Sequence, residues 1–66
     1  MTFAERLKEL RTEKGLTMKQ VADAIKVSEI AVSRWERELR IPNINNVKEL
    51  AIFFGVTVGY IAGAEN

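Results

Sequence analysis

Sixty-six residues carrying a net charge of +1 suffice for one small domain, residues 1–66, of a size that recovers only about 60% of its unfolded surface on folding. With neither cysteine nor histidine in the chain, disulfide staples and His/Cys-ligated structural metals are excluded, so helix packing or self-association must supply stability. No stretch approaches the roughly 20 apolar residues of a membrane span, and Met1-Thr2-Phe3-Ala4-Glu5-Arg6 lacks the basic region and apolar run of a signal peptide; a cytoplasmic protein is expected.

Thr2 followed by Glu5 three residues later is a capping-box signature, and Phe3, Leu7 and Leu10 follow at helical spacing. The pattern predicts a first helix running to about Lys14, where Gly15 supplies a stop. Its polar face, with Glu5, Arg6, Lys8, Glu9, Glu13 and Lys14, reads as solvated. Thr17 with Gln20 repeats the capping box. Met18, Val21, Ala22 and Ile25 then mark one face of a second helix ending near Lys26, barely two turns long and dependent on packing. Ser28 caps a third helix through about Arg37, with Ala31, Val32 and Trp35 facing inward.

Residues 38–43 form a connection that contains the sole proline, Pro42, which blocks helix continuation. Asn43 caps a fourth helix whose apolar stripe is Ile44, Val47, Leu50, Ala51 and Phe54, ended by Gly55. Thr57 caps a short last helix over residues 58–62, closed by Gly63. Without any alternating strand pattern or internal linker, the expected fold is all-α, a compact bundle of five helices.

Residues 21–38 hold the most specific chemistry. Val21, Ala22, Ile25, Val27, Val32 and Trp35 fill the angle between two short helices, while Ile30, Ser33, Arg34 and Arg37 share the outward face of the second. A hydroxyl, a guanidinium and a β-branched apolar group at helical spacing match the hydrogen-bonding and methyl-bearing edges of a DNA major groove. The leading expectation is therefore sequence-specific binding of double-stranded DNA. A net charge of +1 is low for a binder that works by neutralising phosphates. Cations nevertheless collect in this region, with Lys19, Lys26, Arg34, Arg37 and Arg40 interleaved by Glu29, Glu36 and Glu38.

In these residues the chain resembles the helix-turn-helix of phage repressors and Cro proteins, within the xenobiotic-response-element-like family of bacterial regulators. The resemblance extends through Leu16-Thr17, Ser33-Arg34-Trp35-Glu36-Arg37, Pro42, Leu50-Ala51, Phe54-Gly55-Val56 and Val58-Gly59-Tyr60-Ile61. It implies a lambda-repressor-like fold with the helix-turn-helix unit at about residues 17–37 and the third helix in the major groove. By position, it implies base contacts from Ser28, Glu29, Ile30, Ser33 and Arg34. Arg34 suits guanine, Glu29 cytosine, Ile30 a thymine methyl, and either serine a base or a phosphate. Each has a structural alternative: Ser28 as a cap, Glu29 as a complement to the helix dipole, Ile30 as a packing residue, Arg34 as a solvated side chain.

Thr17, Met18, Lys19, Arg37, Arg40 and Asn43 are the candidates for holding the DNA backbone, because helix-start amides and flanking cations attract phosphate. Three positions depart from the family pattern: Met18 stands where glutamine is usual, and Lys26 and Glu38 stand where glycine is common. Arg11 and Glu36 align with an internal salt-bridge pair of the phage repressors. The resemblance further implies a repressor binding a palindromic operator as a homodimer, with Val58, Tyr60 and Ile61 in the region used for pairing, though Val58 and Ile61 serve equally well as core. Ile52 and Phe53 join them as interface candidates, being apolar residues where part of the fourth helix faces water, Ile52 having a tolerated exposed apolar group as its alternative. No cofactor, metal or small-molecule substrate is expected, and no catalytic constellation can be assembled from scattered carboxylates. The rival reading is a protein-interaction module, such as an antitoxin or co-regulator, that contacts DNA secondarily.

Overall fold

Five helices follow one another in the computed structural model, which describes residues 1–65. They are α1 (Phe3–Glu13), α2 (Met18–Ile25), α3 (Glu29–Glu36), α4 (Ile44–Phe54) and α5 (Val58–Ile61), and the described residues contain no strand. Each begins at a polar side chain that accepts a hydrogen bond from the amide three residues on: Thr2, Thr17, Ser28, Asn43 and Thr57. Two caps are reciprocal. The Thr2 amide donates to Glu5 Oε1 at 2.9 Å and the Thr17 amide to Gln20 Oε1 at 2.8 Å, so the first turns of α1 and α2 satisfy donors that the helical ladder leaves free.

Helices of eight residues such as α2 and α3 do not persist alone. They persist here because α2 packs on α3 and α4, and α3 also packs on α1. Val21, Ala22 and Ile25 from α2 meet Val32 and Trp35 from α3 in one core shared with Leu7, Leu10, Leu50, Ala51, Phe54 and Ile61. Ala22 is buried, and its small side chain permits the close approach of the two helices.

The turn joining α2 to α3 closes with the Val27 amide donating to Ala22 O at 2.9 Å, a geometry that puts Lys26 at φ 62° in the left-handed region. The loop after α3 repeats the device: the Leu39 amide donates to Arg34 O at 2.9 Å, with Glu38 at φ 61°. Both residues occupy positions where glycine would be unstrained.

Two sequence-based expectations about faces are corrected. Arg6 is buried rather than solvated, because α5 folds back over that side of α1. Ile44 is 57% exposed, so the inward stripe of α4 begins a turn later, at half-buried Val47.

Candidate nucleic-acid interface

Helix α3 is fixed from behind and free in front. Val32 and Trp35 are buried on its inner side, whereas Glu29, Ile30 and Arg34 are exposed and Ser33 is half-buried at the edge. Ile30 leaves 61% of its surface in solvent, one helical turn from Arg34 on the same face. Arg34 takes part in none of the ion pairs found among the described residues, so its guanidinium keeps its donors available. Ser28 Oγ accepts from the Ala31 amide at 3.1 Å. That bond fulfils its role as a cap and leaves the hydroxyl hydrogen for an acceptor outside the protein.

The backbone-holding candidates divide by environment. At the start of α2, the Thr17 hydroxyl and amide are both committed to Gln20, and the amides of Met18 and Lys19 precede the helical ladder. The Met18 side chain packs half-buried against the core, on the face it shares with Val21, Ala22 and Ile25, so any phosphate contact from Met18 falls to its amide. Lys19 Nζ lies 3.3 Å from Asp23 Oδ2 in an exposed pair of the kind worth only about 0.3–0.5 kcal/mol, which a phosphate can outcompete. Arg37 and Arg40 are exposed and outside the ion pairs of the described residues. Asn43 Oδ1 accepts from the Asn46 amide at 2.8 Å while its amide hydrogens stay free to donate.

Charge placement explains how a nearly neutral chain presents a basic surface. Lys19, Lys26, Arg34, Arg37 and Arg40 are all exposed. Among the acidic residues between them, Glu36 is turned inward and bound to Arg11, which holds the arginine pKa above its ordinary value through that hydrogen bond. Its charge is thereby neutralised inside the protein. Asp23, paired with Lys19, and Glu29 and Glu38 remain exposed.

Away from α3, the expected association surface is smaller than the sequence suggested. Ile52 is 75% exposed, and Phe53 and Val58 are also exposed. Ile61 is fully buried in the core and has no surface to offer a second copy, a correction to its place among the interface candidates. Tyr60 is half-buried, its ring covered by the Arg6 guanidinium. Arg6 itself was missed as a site of interest because a charged residue amid Glu5 and Lys8 has the local pattern of a solvated face. Among the described residues no three His, Cys, Asp or Glu side chains gather as a metal ion requires, and no helix is long and apolar enough to cross a membrane.

Comparison with known proteins agrees with this geometry. The profile of the Helix-turn-helix family matches residues 7–61. The HTH-type transcriptional activator BcrR of Enterococcus faecalis is 40% identical over 65 residues, an alignment covering 98% of this chain and 32% of BcrR. In three dimensions the chain superposes on the P22 c2 repressor in complex with a synthetic operator, with a TM-score of 0.91 at 23% identity over 98% of both chains. It is also similar to the N-terminal DNA binding domain of SinR from Bacillus subtilis, with a TM-score of 0.83 at 27% identity over 89% of this chain and 87% of that one. The chain spans between about a third and a half of the curated relatives it matches.

Proposed function

The chain belongs to the helix-turn-helix family, and from that premise we propose that it is a sequence-specific transcriptional regulator that binds double-stranded DNA through α3. The observation that carries this reading is the pairing of a buried Trp35 with exposed Ile30 and Arg34 on opposite sides of one short helix. Such a helix enters the major groove as a rigid ridge. Ile30 then meets a thymine methyl, Arg34 donates two hydrogen bonds to a guanine, Glu29 accepts from a cytosine amine, and Ser28 and Ser33 contact a base or a phosphate. Phosphates on either side are held by the amides of Met18 and Lys19 with the Lys19 ammonium, and by Arg37, Arg40 and Asn43.

A single unit of this kind reads too few base pairs to find one site in a genome. Two copies related by a two-fold axis, meeting through Ile52, Phe53 and Val58, read inverted half-sites about one helical turn apart. Occupancy of such an operator excludes polymerase, which makes the protein a repressor. The names of BcrR, an activator, and of the P22 repressor support a regulator in general, and the sign of regulation then depends on where the operator lies.

Selection of bound duplexes from a random pool tests the reading. The expected result is a palindromic motif whose affinity falls steeply as salt rises, through counterion release. Failure of every duplex to associate at low ionic strength overturns it and favours the protein-interaction module, for which the small net charge of +1 is the motivating observation.

A further inference from the structure

Arg6 is the one buried cation among the described residues, at 5% exposure, and DNA contact makes no use of it. Its guanidinium lies 3.8 Å from the centroid of the Tyr60 ring. Nη1 donates to the Tyr60 carbonyl at 3.1 Å, Nη2 reaches the Glu65 carbonyl at 3.5 Å, and Nε faces Met1 Sδ at 2.9 Å and Glu9 Oε1 at 3.3 Å. Three of these five contacts go to the Tyr60 ring and carbonyl in α5 and to the Glu65 carbonyl in the segment after it, so the arginine binds a conformation of the chain as well as the Glu9 countercharge.

Helix α5 needs such a clamp. It has four residues, too few to hold their own hydrogen-bonded turn. Ile61 anchors it in the core on one side, and Arg6 grips its C-terminal end on another. Around it the Thr57 hydroxyl accepts from the Tyr60 amide at 3.0 Å and donates to Glu65 Oε1 at 2.9 Å. Gly63, at φ +82°, sits so close to the Met1 carbonyl that any β-carbon there would collide with backbone. The orientation of α5 decides where Val58 stands, and Val58 is the exposed apolar residue that follows Ile52 and Phe53 along the chain.

We propose that Arg6 is a positioning residue for pairing of two copies: it locks α5 onto α1 so that Val58 is presented with Ile52 and Phe53 to the second copy. This inference rests on the dimer reading above. Lysine cannot replace it, because an ammonium lacks the planar fork that reaches two carbonyls while stacking on a ring.

The test compares the parent chain with Arg6→Lys and Arg6→Met on two duplexes from the selected motif, one with a single half-site and one with two inverted half-sites. Half-site affinity is expected to stay within about twofold of the parent, since the hydrogen bonds, ion pair and ring contact of Arg6 go to Met1, Glu9, Tyr60 and Glu65 and none to α3. The gain from the second half-site is expected to fall about tenfold, because misplaced surfaces forfeit the effective concentration that pairing provides. If Arg6→Met fails to fold by circular dichroism, Arg6→Lys alone decides. A parent that gains from the second half-site and a folded Arg6→Lys that gains equally overturn the role of Arg6 and leave the dimer standing. Parallel losses on both duplexes also overturn it, since they mark a merely structural residue. A parent that gains nothing from the second half-site overturns the dimer itself.

Discussion

Arg11 and Glu36 form a two-point ion pair that ties α1 to the last turn of α3, with Nε to Oε2 at 2.7 Å and Nη2 to Oε1 at 3.0 Å. Nη1 of the same guanidinium donates to the Leu16 carbonyl at 2.9 Å, so one arginine fastens the helix that presents Ile30 and Arg34 to the loop leading into α2. The Glu36 side chain is only 3% exposed. Removal of its partner strands a carboxylate out of water, and that desolvation exceeds whatever the intact pair contributes.

Arg11→Met is therefore expected to cost about 3–5 kcal/mol, a large share of the roughly 3–10 kcal/mol that a chain of this length possesses. Thermal unfolding followed by circular dichroism checks it. The double substitution Arg11→Met with Glu36→Leu should recover most of the loss, because no charge is then left buried.

Arg34→Ala should relax discrimination at one base position by about 1–3 kcal/mol, whereas Arg37→Ala or Arg40→Ala should weaken all duplexes alike and reduce the salt slope by about one ion each. Competition gel shifts with single-base operator variants separate the two behaviours. Full operator preference in Arg34→Ala would remove Arg34 from the groove.

Lys26→Gly and Glu38→Gly should each raise stability modestly. A left-handed conformation costs a residue with a β-carbon about 1–2 kcal/mol, and the added freedom of glycine in the unfolded chain returns about 0.4–1 kcal/mol of that. An upward shift of the urea midpoint at constant slope is the expected signature.

Ile52→Asp should leave the fold within about 0.5 kcal/mol of the parent, since the side chain is 75% exposed, and should abolish pairing of copies in sedimentation equilibrium. Ile61→Ala should do the opposite, destabilising the core by about 2–5 kcal/mol as buried methyl groups are lost.

Glu5 carries a pH dependence of known sign. Its carboxylate accepts from the Thr2 amide and also engages the Thr2 hydroxyl, which holds its pKa below the ordinary 4.5. A depressed folded-state pKa adds stability above the unfolded value that disappears as pH falls through the folded one. Urea midpoints measured from about pH 6 to about pH 3 should decline less steeply in Glu5→Gln than in the parent.

The helix starts were legible in the sequence because capping acts within three residues. Thr2 with Glu5, Thr17 with Gln20, and Ser28, Asn43 and Thr57 all cap as their spacing predicts. The inward set of α2 and α3 was equally legible, since 3.6-residue periodicity separates Val32 and Trp35 from Ile30 and Arg34 without reference to any other helix. The ends drifted by about one residue: α5 stops at Ile61, where the pattern extended to residue 62, as expected where the last turn frays into other hydrogen-bonding forms.

By itself, then, the sequence determined five helices, their caps and the two faces of α3, all of which follow from interactions within about one or two turns of chain. Only the tertiary structure decided that Arg6 is buried, that Ile61 belongs to the core and that Ile44 is left in solvent. Arg6 meets Tyr60 from 54 positions away. No local pattern can announce a partner at that distance, because burial is settled by which helix face another helix covers once the chain has closed upon itself.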